Sequence, residues 1–168
     1  MPAQASLKTE LSMTPAVDMA KRAKIAFTLH EYDHDPGSSA YGMEAVEKLG
    51  LNPDEVFKTL VAELQGGELV VAVVPVSSML NLKALAKAAG AKKAAMADAP
   101  AVSRSSGYVL GGVSPLGQKR ALRTFIDSSA ERLSVMYVSA GRRGLEIALS
   151  PRDLQGLTRA GFAPLAQE

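Results

Sequence analysis

A lysine set among apolar residues is the first side chain whose type and position could do chemistry. Lys58 lies in the segment Val56–Val61, where the alternation of a strand would place it on one face with apolar neighbours. An ammonium group on such a face loses solvation, so it needs an anionic partner or a cleft. A solvated face, or a side chain that extends outward to water, explains the same pattern equally well. The segment alone therefore leaves a functional and a structural interpretation open.

Two glycine-rich segments could bring backbone N–H groups close to a phosphate or a carboxyl oxygen. The first, Gly107–Gly117, encloses Ser114 and lacks both the Gly-Lys-Ser/Thr ending of a Walker A loop and the spacing of a dinucleotide fingerprint. The second, Ser139–Glu146, carries Arg142 and Arg143 at its turn and is suited to phosphate contact. A tight structural turn and an ordinary basic hairpin are the alternative interpretations.

Cysteine and histidine give little support to metal or nucleophile chemistry. The chain has no cysteine, which removes disulfides, Cys-ligated metals and a Cys nucleophile. The two histidines, His30 and His34, have no clear carboxylate spacing and make a weak case for a metal. A Ser-His-Asp triad lacks support because the sequence contains no Gly-x-Ser-x-Gly elbow. We therefore expect neither a metal nor a cofactor.

Charge is distributed unevenly along a chain whose composition is that of one globular domain. The net charge is +2, but residues 83–143 contain eleven Lys/Arg against three Asp/Glu. Such a segment predicts a polyanion partner, or else a solvated surface whose charges happen to segregate. No stretch approaches the ~20 apolar residues of a membrane span, and the N-terminus lacks the apolar core of a signal peptide. These features are typical of a cytoplasmic protein without a membrane partner.

Hydrophobic periodicity and turn residues predict the elements that must position these side chains. The predicted helices cover residues 15–24, 41–49, 82–89 and 152–160, with a helical turn and loop at 99–106. The predicted strands cover residues 25–32, 56–64, 68–76, 92–98, 124–127, 134–139 and 144–149, the second and third forming a hairpin. Residues 1–12 are predicted to be a flexible extension and residues 13–168 one domain. Because strands and helices mix without regular βαβ alternation, the sequence favours an α+β fold.

Five motifs, in their order along the chain, resemble the YbaK family. They are Thr14–Val17, Tyr32–Asp35, Gly50–Leu60, Gly107–Lys119 and Tyr137–Leu145. The family comprises Cys-tRNA(Pro)/Cys-tRNA deacylases and is related to the editing domain inserted in bacterial prolyl-tRNA synthetases. The resemblance spans about residues 13–165, and its Thr-Pro-Ala-Val start and Phe-Lys-Thr-Leu motif favour YbaK itself over the alanine-editing relatives.

The resemblance implies a fold and a set of site residues. The implied fold is a mixed, strongly curved, barrel-like β-sheet surrounded by helices. Lys58 matches the essential lysine of the family and would anchor the phosphate of the 3′-terminal adenosine or the ester region. Tyr32 and Ser139 match positions near the aminoacyl pocket, and Glu146 stands where the family usually has Asp. The implied backbone lining of the pocket is Gly111, Gly112, Val113 and Ser114.

The implied reaction is hydrolysis of the ester that joins a misattached cysteine to tRNA. In this family the thiol of the substrate is thought to attack its own ester, so the protein only orients the substrate and stabilises the oxyanion. Lys119, Arg142 and Arg143 are the expected tRNA contacts, and prolyl-tRNA synthetase is an implied partner. A non-catalytic module that binds tRNA or a synthetase, and a deacylase for Ala- or Ser-charged tRNA, are the alternatives.

Overall fold

The computed structural model describes residues 13–167, so the predicted extension at residues 1–12 lies outside the described part. The helices are α1 (Pro15–Ala23), α2 (Tyr41–Leu49), α3 (Leu82–Ala89), α4 (Ala99–Ser106) and α5 (Pro151–Thr158), with a 3₁₀ helix at Ser128–Arg132. The strands are β1 (Phe27–Glu31), β2 (Phe57–Leu64), β3 (Leu69–Pro75), β4 (Ala94–Met96), β5 (Arg123–Asp127), β6 (Met136–Arg142), β7 (Leu145–Leu149) and β8 (Gly161–Ala163).

Capping residues set the helix ends close to where the sequence predicts them. The side-chain oxygens of Thr14, Asn81 and Ser150 each accept a hydrogen bond from the backbone N–H three residues further on, at 3.1–3.2 Å. Gly50 and Gly90 end α2 and α3 in the left-handed conformation, which glycine adopts without a steric penalty. The segment predicted as a helical turn and loop at 99–106 is a complete helix instead.

The described strands form two sheets. One is antiparallel with the order β1-β7-β6, and the other has the order β4-β2-β3-β5-β8 with both antiparallel and parallel pairs. The sheets meet where Val56 bridges Tyr137 and the Tyr137 N–H donates to the Glu55 carbonyl oxygen at 2.9 Å. The α+β class is therefore confirmed, with the mixed β-structure divided between two sheets that are not closed into one barrel.

Strand β2 separates two hydrophobic cores. Phe57 and Val61 face the main core, whereas Ala62 and Leu64 face a second core that Leu85 of α3 completes. Side chains alternate along a strand, so Lys58 lies on the face of the second core, at its end nearest to the other sheet. The lysine thus extends an apolar face rather than a solvated one. No helix in the described range is long and apolar enough to cross a bilayer.

Candidate functional site

A pocket of about 200 Å³ opens at the junction of the two sheets. Strands β2, β6 and β7, the start of α2 and the glycine-rich loop between α4 and β5 all contribute to it. Six of the residues that the sequence singles out line this pocket, namely Tyr32, Lys58, Gly111, Val113, Ser139 and Glu146. The fold therefore brings together side chains that lie more than a hundred residues apart in the chain.

Lys58 presents an unpartnered ammonium group to the pocket. Its strand neighbour across the hairpin is Val74, so its stem lies against apolar surface. Burial lowers the pKa of Lys58 from its ordinary value. Within the described residues its ammonium group makes no hydrogen bond and no ion pair. A cation held in this way is available to an anionic or strongly polar ligand.

Glu146 is the most deeply buried acid of the pocket, at 7% exposure. It lies on the central strand β7, directly opposite His30 on one side and Ser139 on the other. Burial raises the pKa of Glu146 to about 8, so the side chain is mostly a neutral acid at pH 7. Its carboxyl group has no hydrogen-bond or ion-pair partner among the described residues, Lys58 included. A neutral carboxyl can donate a hydrogen bond as well as accept one.

Tyr32 follows β1 and is tied to the turn between β6 and β7. Its N–H donates to the Gly144 carbonyl oxygen at 3.0 Å. Gly144 has φ +83°, and a Cβ there would lie 2.7 Å from the Tyr32 carbonyl oxygen, so the approach requires glycine. Burial raises the pKa of Tyr32 to about 12, and the charges of Glu146 and Glu44 act in the same direction. The phenol therefore stays protonated at neutral pH and can donate to a ligand.

A clamp formed by Arg143 and Tyr41 holds the glycine-rich loop over the pocket. The Arg143 guanidinium lies 5.0 Å above the Tyr41 ring, and its Nε donates to the Leu110 carbonyl oxygen at 2.8 Å. Gly111 packs directly on the same ring, where an added Cβ would come within 2.6 Å. Any side chain at Gly111 would push the loop away from Tyr41 and change the wall of the pocket.

Gly112 and Ser114 lie behind that wall and are not part of the lining. A Cβ on Gly112 would lie 2.8 Å from the Cα of Arg142, so glycine permits the loop to pack on the turn between β6 and β7. Ser114 is fully buried, and its hydroxyl accepts from the Leu116 N–H at 3.2 Å. The structure thus divides the four loop residues into two that line the pocket and two that support it.

The three expected tRNA contacts lie outside the lining. Lys119 is exposed further along the loop, where its N–H donates to the Ser106 carbonyl oxygen at 3.0 Å. Arg142 forms an ion pair with Glu31 at 3.4 Å. Arg143 belongs to the clamp described above and remains exposed at the rim of the pocket. Both arginines therefore have partners within the protein.

A second buried acid, which the sequence does not reveal, orders the loop between Tyr32 and Tyr41. Glu44 accepts from the Asp35 N–H at 2.7 Å, lies 2.6 Å from His34 Nδ1 and pairs with Lys48 at 3.2 Å. Burial alone would raise the pKa of Glu44, but these three partners outweigh it and hold the pKa at about 2. No group of three His, Asp or Glu side chains in residues 13–167 could hold a metal ion.

The pocket can bind and polarise a ligand, but the described part of the chain places no activated nucleophile in it. Thr59, whose hydroxyl is buried without a partner, and Tyr41 also line it, although the sequence does not single them out for it. The Ser139 hydroxyl accepts from the Gly141 N–H at 3.2 Å and lacks an adjacent base. An ammonium group, a neutral acid and a phenol are suited to orienting an ester and stabilising negative charge on its oxygen.

The chain is similar to one family model, to a curated relative and to solved structures. The model of the aminoacyl-tRNA editing domain matches residues 36–157. EbsC of Enterococcus faecalis, named for a proposed Cys-tRNA(Pro)/Cys-tRNA(Cys) deacylase activity, is 36% identical over 156 residues, covering 90% of this chain and 92% of EbsC. The solved structure of the hypothetical protein APE2540 has a TM-score of 0.82 at 25% identity, covering 92% of this chain and all of its own. A structure described as a proposed trans-editing enzyme for prolyl-tRNA synthetase has a TM-score of 0.78 at 20% identity, covering 93% of this chain and 99% of that chain, a likeness of fold.

Proposed function

The chain belongs to the aminoacyl-tRNA editing domain family, and from that premise we propose that it removes misattached cysteine from tRNA(Pro) in trans. The observation that carries this proposal is a pocket in which the unpartnered ammonium group of Lys58 and the neutral acid Glu146 lie together without a nucleophile. The named activity of EbsC supports the choice of substrate.

The missing nucleophile favours a reaction in which the substrate supplies its own. The cysteine sulfur attacks the ester carbonyl carbon, a C–S bond forms, and the C–O bond to the terminal ribose breaks. The thiol proton goes to the departing ribose oxygen, which leaves free tRNA and a cyclic thiolactone that water opens to cysteine. Lys58 would hold the terminal phosphate or the ester oxygen, and the N–H groups of the loop at Gly111 would stabilise the oxyanion.

This chemistry explains how a small pocket could select cysteine. Excluding one methylene group is worth only about 1–3 kcal/mol, which separates similar amino acids poorly. A reaction that needs a thiol rejects alanine and serine on chemical grounds. Prolyl-tRNA synthetase, the partner implied by the family resemblance, would supply the selection of tRNA that a pocket for the 3′ end lacks.

A panel of tRNA(Pro) charged with cysteine, serine or alanine tests the proposal. We expect Cys-tRNA(Pro) to be deacylated at least about 100-fold faster than the other two, because serine and alanine have no thiol to attack the ester. A 100-fold difference in rate corresponds to about 2.8 kcal/mol in the barrier, since each 1.4 kcal/mol is tenfold. Lys58→Met should reduce that rate by about 100-fold or more and leave the melting temperature unchanged or higher, since it removes a desolvated charge.

Lys21→Met serves as the matched control, because Lys21 is exposed on α1 and away from the pocket. Full activity of a folded Lys58→Met variant would contradict the role of Lys58. Equal rates on all three substrates would contradict the thiol mechanism. Binding of charged tRNA without any hydrolysis would favour the non-catalytic binding module instead.

A further inference from the structure

Four lysines surround a groove that is separate from the pocket. Lys83 and Lys87 project from α3, and Lys92 and Lys93 follow in the turn before β4. All four line one groove of about 730 Å³, whose remaining walls are alanines and Leu82. All four are exposed. The small side chains between them leave space for a bulky ligand to come close to the ammonium groups.

The positive charges of this lysine groove are not neutralised by acidic side chains of the described residues. None of the four ammonium groups makes an ion pair or a hydrogen bond within the described residues. The acid next along β2, Glu63, points to the opposite face from Leu64 and lines a different groove with Arg104 and Glu68. Four like charges without counter-charges create a local positive potential that attracts a polyanion.

Three arginines of the same positive segment have partners within the protein. Arg123 donates to both carboxylate oxygens of Glu68, at 2.8 and 3.0 Å. Arg142 pairs with Glu31, and Arg143 clamps the glycine-rich loop. Helix α3 and the turn that follows it therefore hold four neighbouring lysines without counter-charges, whereas these three arginines are engaged inside the protein.

The lysine groove and the pocket lie along the same face of one sheet. Leu60 lines the pocket of Lys58 and also packs on the second core, which α3 covers. The far end of that face is Leu64, which pairs with Ala94 of the groove. From Lys58 to Leu64 the strand rises ~20 Å. That distance corresponds to about six stacked nucleotides at 3.4 Å each.

We propose that the lysine groove binds the phosphates of the tRNA acceptor arm while the 3′ end occupies the pocket. The inference rests on the proposed function, and it names a tRNA surface beyond Lys119, Arg142 and Arg143. An RNA backbone supplies regularly spaced anions, which suits four lysines spread over a helix and a turn. Compact ligands with one phosphate would engage only part of this surface.

The test replaces Lys83, Lys87, Lys92 and Lys93 with Gln and measures tRNA affinity between about 0.05 M and 0.2 M salt. Each phosphate contact contributes roughly 0.7–0.9 to the slope of log affinity against log salt, so we expect the slope to fall by about 3. Affinity near 0.15 M salt should fall at least about 10-fold. The double variant K92Q/K93Q should show about half of the slope change.

The control variant removes the same charge elsewhere, with Lys24, Arg104, Arg120 and Arg132 changed to Gln. We expect the control to change the salt slope by less than about 1. An unchanged slope in the lysine variant, or an equal change in both variants, overturns the inference. Loss of binding to anionic lipid vesicles with tRNA binding intact would assign the groove to a membrane and overturn it as well.

A minimal substrate separates this inference from the proposed function. The cysteinyl ester of adenosine monophosphate presents the 3′ end without the acceptor arm. We expect the lysine variant to cleave it at the wild-type rate, because the groove is distant from the pocket. Failure of the wild-type protein to cleave any cysteinyl ester would end the proposed function, whereas the salt slope would still report on the groove.

Discussion

Two buried glutamates, Glu44 and Glu146, have pKa values shifted in opposite directions. Glu44 and Glu146 expose only 6% and 7% of their surface to solvent, but Glu146 lies deep in the protein and Glu44 lies near its surface. The pKa of Glu44 is held at about 2 by His34, Lys48 and the Asp35 N–H, whereas burial without partners raises the pKa of Glu146 to about 8. Depth of burial and the available hydrogen bonds therefore decide the charge of a carboxyl group together.

The surroundings of Glu44 serve the structure of a loop, whereas those of Glu146 are available to a ligand. Glu44 is partnered with His34, Lys48 and the Asp35 N–H, and these contacts hold the loop between Tyr32 and Tyr41 against α2. In the pocket, Lys58, Glu146 and the Thr59 hydroxyl have no partner among residues 13–167, which destabilises the fold locally. Groups left unsatisfied in a cleft are available to a ligand, and functional sites are commonly less stable than their surroundings.

The largest expected effect on stability comes from the partnered acid. Glu44→Ala leaves His34, Lys48 and the Asp35 N–H without their acceptor, so we expect the melting temperature to fall by about 8 °C. Thermal unfolding near pH 7 measures the change. Glu47→Ala, an exposed position on the same helix, should shift the melting temperature by less than about 2 °C. Equal shifts in the two variants would show that the Glu44 contacts contribute little.

A smaller effect, of opposite sign, is expected at the unpartnered acid. Because the folded-state pKa of Glu146 is raised from 4.5 to about 8, the folded protein holds this proton more tightly than the unfolded chain. Its contribution to stability is complete below pH 4.5 and is lost as the pH rises towards 8. Glu146→Gln removes this loss, so we expect the variant to melt at least about 5 °C above the wild type at pH 8.

Melting curves between pH 5 and 9 check this prediction, with the exposed Glu63→Gln as the control. A constant difference between Glu146→Gln and the wild type across that range would mean that Glu146 is already ionised at pH 5. The partnered acid should behave in the opposite way. The pKa of Glu44 is lowered, so its contribution is present above pH 4.5 and is lost as the pH falls towards 2.

Local signals explain which parts of the fold could be predicted from the sequence. Helices α2 and α3 were predicted with their observed bounds, because Asn81, Gly50 and Gly90 mark their ends within a few residues. Strand β8 and the 3₁₀ helix were not predicted. Strand β8 has three residues and pairs in parallel with the distant β5, so nothing in its own sequence distinguishes it from a loop.

The candidate site was predictable where one residue type stands out and not where distant surfaces meet. Lys58 is conspicuous because a lysine interrupts an apolar strand. Thr59 and Tyr41 line the pocket only because the two sheets join near Val56, which no local pattern reveals. The contacts of Arg143 depend in the same way on distant segments, the start of α2 at Tyr41 and the glycine-rich loop at Leu110.

The smallest expected effect tests whether Arg143 serves the tRNA or the wall of the pocket. Its guanidinium contacts the Tyr41 ring and the Leu110 carbonyl oxygen at once, which a planar, forked group can do and an ammonium group does poorly. If the clamp is its main role, Arg143→Lys and Arg143→Ala should both raise KM about 5-fold. Both should leave the salt dependence of tRNA affinity nearly unchanged.

If Arg143 instead contacts phosphate, lysine would preserve KM and only alanine would lower the salt slope by about 1. Steady-state kinetics with Cys-tRNA(Pro) at two salt concentrations distinguish these outcomes. In the clamp, Arg143 acts on the ligand indirectly, because it holds Tyr41 and the glycine-rich loop in the pocket wall while its guanidinium group is engaged within the protein.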